Sequence, residues 1–323
     1  MMKAVGALIA ALALLTGSAL AQSNYPEQTV RILVGFPAGT APDVAARVLA
    51  DKLSTSLGKP VVVENISGAN GNIACDRVAK SAPDGYTLVM CGNGSLVIGP
   101  SLYDKLPYDP IKDFAPIARV FVATNLLVVH PEVAARSLPD LVALARARPA
   151  ELTYGHTGIG SSQHLAAELF KSMAKLSIQP VAYRGSTAVL PDLLAGRITM
   201  AFLNIVNAAP LVKEGKLRAF AVTSSKRSAL VPDLPTMAEM GFPGYEAVPW
   251  FGLMAPAGTP QPILDKLYGE TVKALAMPDA RKRLEDFGLD VLGGSSAEFA
   301  DVIKREIPYW AKVIKDAGIR ASD

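Results

Sequence analysis

From Val30 onward the chain alternates short apolar runs with stretches whose apolar residues recur every three or four positions. Residues 30–34 read as a strand, and 42–57 as a helix with Val44, Val48, Leu49, Leu53 and Leu57 on one face. A strand over 60–64, a helix over 73–80 and a strand over 86–90 continue the series, with a reversal at Pro83-Asp84-Gly85. Strands alternating with helices imply a parallel, layered α/β sheet. Ligands of such sheets sit beyond the carboxyl ends of the strands, in the strand-to-helix loops.

A second series begins after Asp113-Phe114-Ala115-Pro116. It holds predicted strands at 126–129, 152–154, 181–183, 198–203 and 217–222, with helices at 138–148, 162–175 and 187–194. Beyond Ser224-Ser225-Lys226-Arg227 the chain turns rich in Pro and Gly, and two amphipathic helices, 261–276 and 297–317, close it. Those helices are expected to pack back on the first series. The predicted organisation is a discontinuous lobe (22–124 and 226–323) with an inserted lobe (125–225), linked by two crossings.

The N-terminus sets the compartment. Lys3 precedes an unbroken small and apolar run from Ala4 to Leu15, and Ala19-Leu20-Ala21 supplies a small-x-small cleavage pattern. About a dozen apolar residues are too few to cross roughly 30 Å of hydrocarbon, so 1–21 read as a signal peptide. The formal charge is +3, and losing Lys3 with the leader leaves +2, no footprint for nucleic acid. The 323 residues, half of them apolar, suit two domains and a soluble, exported, monomeric protein. In an oxidising compartment the two cysteines, Cys75 and Cys91, are candidates for a disulfide, with buried free thiols as the alternative. A helix running one way and a strand returning would bring them level.

Two loops carry the candidate chemistry. Phe36-Pro37-Ala38-Gly39-Thr40-Ala41-Pro42-Asp43 joins the first strand to the first helix, with Thr40 and Asp43 spaced as a capping box. Such a loop either presents backbone N–H groups and a helix N-terminus to an anion or simply caps its helix. The second, Gly155 to His164, offers two close-approach glycines (Gly158 and Gly160) and the hydroxyls of Thr157, Ser161 and Ser162. Placed in corresponding positions of two lobes, the loops would each hold one end of a diacid. The expected ligand-binding set is Phe36, Ala38, Gly39, Thr40, Asp43, Asn93, His156, Thr157, Gly160, Ser161, Ser162, Arg184 and Asn204. Arg184 reads equally as a solvated surface residue, His164 as a helix residue with a structural hydrogen bond, and Trp250-Phe251 as core or hinge packing.

Catalysis finds little support. Ser161 or Ser162 near His164 raises an exported serine hydrolase as an alternative, but no orienting acid and no Gly-x-Ser-x-Gly elbow accompany them. Three histidines without metal-ligand spacing argue against a metal site, and neither a dinucleotide fingerprint nor a Walker sequence calls for a cofactor.

These residues bring a resemblance into view. The chain resembles the Bug family, the solute-binding components of tripartite tricarboxylate transporters. The likeness runs through Pro37-Ala38-Gly39 with Asp43, Val63-Glu64-Asn65, Gly68-Ala69-Asn70-Gly71-Asn72-Ile73 and Ala82-Pro83-Asp84-Gly85-Tyr86-Thr87-Leu88. It continues through Leu106-Pro107-Tyr108-Asp109-Pro110, Gln163-His164-Leu165, Tyr183-Arg184-Gly185-Ser186, Asp192-Leu193-Leu194-Ala195-Gly196 and Trp250-Phe251-Gly252. The resemblance implies a two-lobed periplasmic-binding-protein fold of type II, with a hinge, an interlobe cleft and membrane transporter subunits as partners. A sensor acting on a membrane signalling protein would read the same closed surface. Departures bear on the ligand: Thr40 stands where the family usually has Gly, His156 where it has Ser, Ile159 where it has Asn, and Leu203 where it has Asp. Loss of that Asp argues against an amino acid, and His156 with Ile159 would add aromatic and apolar surface. The expected ligand is a dicarboxylate or an aromatic carboxylate.

Overall fold

β1 (Val30–Val34) forms because four of its five residues are apolar and all four are buried in one sheet. It pairs in parallel with β2 (Val61–Asn65) and β3 (Thr87–Gly92), each reached through a helix, α1 (Ala41–Leu57) and α2 (Asn72–Ala79). In this computed structural model, which describes residues 24–183 and 186–320, a π-helical turn over Gly94–Ile98 and the short α3 (Gly99–Leu102) then lead to β4 (Phe114–Ala123). The leader assigned to 1–21 lies outside the described residues.

Thr124 alone separates β4 from β5 (Asn125–Val129), which belongs to a second sheet. That sheet is completed by β6 (Thr153–His156), β7 (Gln179–Ala182), β8 (Met200–Asn204) and β9 (Arg218–Val222), in the order β7-β6-β8-β5-β9. Its helices are α4 (Leu138–Ala147), α5 (Ser162–Ala174), α6 (Ser186–Leu194) and α7 (Ile205–Lys213). After β9 the chain returns to β10 (Trp250–Pro256), α8 (Gln261–Ala276), α9 (Pro278–Asp286), β11 (Leu289–Val291) and α10 (Ser296–Asp316). The first sheet therefore reads β11-β4-β10-β3-β1-β2.

Neither sheet is purely parallel, contrary to the expectation from alternation. β10 is antiparallel to both β3 and β4, and β5 is antiparallel to both β8 and β9. The reason is connectivity: β5 and β10 are entered through the crossings between lobes, not through a helix that returns the chain in the same direction. The crossings are stitched together, with Thr223 N–H donating to the Asn125 carbonyl at 2.9 Å and Ala123 N–H to that of Pro249 at 2.8 Å.

The last helix also differs from expectation. Its N-terminus carries a full capping box between Ser295 and Glu298, and it lies on β4 as anticipated. It also packs against α5 of the second lobe, so one apolar cluster runs from Val89 and Cys91 through Trp310 and Ile314 to Phe170 and Phe202. Cys75 and Cys91 are joined in a disulfide inside that cluster, with Cα atoms 6.5 Å apart.

Gly252 sets how closely α10 approaches the sheet. A Cβ there would lie 2.3 Å from the Phe299 ring and 2.9 Å from the Ala118 carbonyl oxygen. Overpacking of this kind costs about 1–3 kcal/mol. Gly252→Ala is accordingly expected to lower the urea midpoint by that amount of stability; an unchanged midpoint would show that the helix yields freely.

Candidate functional site

The second-lobe wall begins where β6 runs out at His156. Ser161 caps α5, its Oγ accepting from the His164 N–H at 3.2 Å. Thr157 and Ser162 hydroxyls both donate to Gln163 Oε1, at 3.0 and 3.2 Å, which draws the loop over the helix end. Among the described residues, the N–H groups of Ser162 and Gln163 find no acceptor, as expected for the first turn of a helix. Thr157, Gly160, Ser161, Ser162 and Gln163 together form one side of an interlobe cavity of about 320 Å³.

The first-lobe wall comes from Asn70, Asn93, Gly94 and Ile98, closed by Phe36, Pro249 and Phe251. Asn70 sits in a 3₁₀ turn over Ala69–Gly71, and its carbonyl accepts from Ser95 Oγ at 3.0 Å. Asn93 is buried and donates its amide to the Val248 carbonyl at 3.2 Å, tying this wall to the return crossing. Phe251 stacks on Phe121 at 5.1 Å and meets Phe36 edge-on at 5.5 Å. No described residue lining the cavity is charged.

Of the residues expected to bind ligand, Phe36, Asn93, Thr157, Gly160, Ser161 and Ser162 meet at this cavity. Ala38, Gly39 and Thr40 are not part of its lining. Asp43 is buried beneath the first loop: it accepts from Gly39 N–H at 2.8 Å, from Asn65 Nδ2 at 2.8 Å and from Arg47 Nε at 3.0 Å. Burial would raise its carboxyl pKa, but the hydrogen bonds from Arg47, Gly39 and Asn65 prevail and hold it below the ordinary value. The expected capping box between Thr40 and Asp43 does not form. Asp43 reaches Gly39 and not Thr40, whose hydroxyl donates to the Pro37 carbonyl.

Asn204 caps α7 through Val206 N–H at 3.1 Å, and Leu203 is buried in the second lobe's core. The Leu at that position therefore reflects packing and says nothing about a ligand ammonium. His156 and Ile159 add no surface to the cavity either. Ile159 is exposed, and His156 lies buried behind the loop with its ring stacked on His164, centroids 4.3 Å apart. Arg184 lies outside the described residues. The residues missed by sequence were Asn70, Gly94, Ile98, Gln163, Pro249 and Phe251. Gly68-Ala69-Asn70-Gly71-Asn72 follows a strand and precedes a helix, so the rule that pointed to the other loops applied to it as well.

The histidine pair supports the second loop from below. His164 Nδ1 accepts from Gly160 N–H at 3.1 Å, and His156 Nδ1 lies 3.0 Å from the Gly158 carbonyl. Burial, with the neighbouring His156 and Lys171, pulls the His164 pKa down to about 3. Burial also lowers that of His156, against the opposing contact with Gly158.

Comparison with known proteins gives a consistent picture. Residues 45–319 match the family described as the tripartite tricarboxylate transporter family receptor. BugT of Bordetella pertussis is 37% identical over 298 residues, covering 92% of this chain and 91% of its own. The structure of Rpa4515 of R. palustris with adipate shares 38% identity, covers 92% of this chain and 100% of its own, and superposes with a TM-score of 0.79. MatC of Rhodopseudomonas palustris with bound malate shares 34% identity, covers 90% of this chain and 100% of its own, and gives 0.75.

Two outcomes are expected at this loop. Gly160 has φ +73°, and a Cβ on it would lie 2.3 Å from Leu102 Cδ2 across the cleft. Gly160→Leu should hold the lobes apart, giving a larger radius of gyration by small-angle scattering with unchanged helix content; an unchanged radius would mean Leu102 moves aside. The histidines make stability depend on pH. The unfolded chain takes up a proton on each near pH 6.5, whereas folded His164 does so only near 3. Stability is therefore complete above pH 6.5 and declines toward pH 3, by up to about 1.4 kcal/mol per unit for His164. His164→Asn, which keeps an acceptor for Gly160 N–H, should flatten urea-measured stability between pH 7 and 4.5; the same slope as wild type would contradict this.

Proposed function

We propose, from the premise that this chain belongs to the tripartite tricarboxylate transporter receptor family, that it captures a small dicarboxylate between its lobes for a membrane transporter. The observation that carries this reading is the uncharged interlobe cavity, with the first turn of α5 on one side and Asn70, Asn93 and Gly94 on the other. Carboxylates placed at its two ends would be held by N–H, amide and hydroxyl groups, with the helix dipole favouring the negative charge. Phe36, Ile98 and Phe251 suit the apolar spacer between them. Adipate in Rpa4515 and malate in MatC are both dicarboxylates and lend the class support. The two phenylalanines also favour an aromatic carboxylate as a second reading.

The leader pattern at 1–21 supports export to the periplasm, the compartment in which a solute is handed to membrane subunits. Closure of the lobes over ligand would create the surface those subunits recognise. A serine hydrolase is disfavoured by the geometry of the loop. Ser161 Oγ accepts from the His164 N–H, the Ser162 hydroxyl donates to Gln163 Oε1, and His164 Nδ1 accepts from Gly160 N–H, so among the described residues neither serine hydroxyl is hydrogen-bonded to the His164 ring.

Isothermal titration calorimetry tests the reading. Adipate, malate or benzoate should bind with micromolar or tighter affinity, and Gly160→Leu should weaken this roughly tenfold or more. Tight binding of glutamate, with no heat from any plain carboxylate, would overturn it.

A further inference from the structure

Behind the interlobe cavity lies a second one of about 380 Å³, on the opposite face of the return crossing. The segment 248–251 is the wall between them. Pro249 and Phe251 face the interlobe cavity, whereas Val248 and Trp250 face the rear one, as the two-residue alternation of extended chain requires. The rear cavity gathers four charged side chains, Arg119 of β4, Glu246 of the crossing, and Arg305 and Glu306 of α10. Among the described residues none of the four takes part in an ion pair. Glu306 is held in place by the Trp250 indole N–H at 2.8 Å, and Glu246 by the Ser225 hydroxyl at 3.1 Å. Trp250, Tyr309 and Trp310 supply aromatic walls.

Of the four, Glu246 and Arg305 are exposed, whereas Arg119 and Glu306 are half-buried, where a charge without a close opposite charge is unfavourable. Burial lowers the pKa of Arg119 and raises that of Glu306, each shift partly opposed by the charge of the other residue. A solute with both charges would relieve both. We propose that the rear cavity is a second ligand site for a small zwitterion, one carboxylate and one ammonium on an apolar or methylated body. The guanidinium groups of Arg119 and Arg305 offer the planar donors that a carboxylate accepts in pairs. Glu306 and Glu246, with the indole faces, complement an ammonium through charge and cation–π attraction. This site does not depend on what the interlobe cavity binds.

Trp250 and Trp310 are the two tryptophans of the chain, so its indole emission reports on the rear cavity. Glycine betaine and L-phenylalanine are titrated into the full protein, with acetate and tetramethylammonium as single-charge controls and adipate followed separately by calorimetry. At least one zwitterion should change the emission saturably, at concentrations where neither control does. Arg119→Met, Glu306→Gln and the exposed Arg305→Met should each weaken that response roughly tenfold or more, with circular dichroism and adipate binding unchanged. The site is refuted if neither zwitterion saturates, if acetate alone reproduces the change, or if all three variants respond as wild type does. Loss of adipate binding in the wild-type protein would count against the interlobe reading alone.

Discussion

The return of the chain from the second lobe as β10 is the constraint on which the rest of this molecule depends. That strand inserts between β3 and β4 and is antiparallel to both, so it fixes the first sheet and the exit toward the second lobe at once. Its leading residues cannot relax independently: Val248 is tied to Asn93, and Pro249 to Ala123. Period-two alternation then divides its side chains between two cavities, and Gly252 admits the Phe299 ring that seats the terminal helix. Sheet order, lobe connection and cavity walls are one set of hydrogen bonds.

The cavity between the lobes pairs with this frame through its electrical neutrality. An ionic clamp would have to desolvate its own charges before meeting a carboxylate, at a cost that its attraction does not always recover. Amides, hydroxyls and the first turn of a helix are already oriented and give up far less water. Charge is nonetheless plentiful near the site, and it is spent on the scaffold. Asp43 orders the first loop through Gly39, Asn65 and Arg47, whereas the second loop is held by the paired histidines, kept uncharged by burial, through Gly158 and Gly160.

Much of this was legible in the sequence, and the residues that were not share a cause. Period-based reading located β1, α1, α5 and α8, because each carries its own apolar pattern over a full element. It missed β10 as a central strand: Trp250–Pro256 is buried along its whole length, so no alternation marks it, and its partners lie far away in sequence. The same cause hid Phe251 and Pro249 from the site. The second loop was found because its glycines and hydroxyls act locally, through their own backbone. His156 and Leu203 were misplaced because a residue in a strand-end position points either to the cleft or to the core, and only the packed lobe decides which.

A crystal structure of the protein soaked with adipate tests the central claim most directly. The account predicts the diacid lying across the interlobe cavity, one carboxylate on the N–H groups at the start of α5 and the other beside Asn70, Asn93 and Gly94. Adipate bound elsewhere, or an empty cavity at saturating concentration, would contradict it.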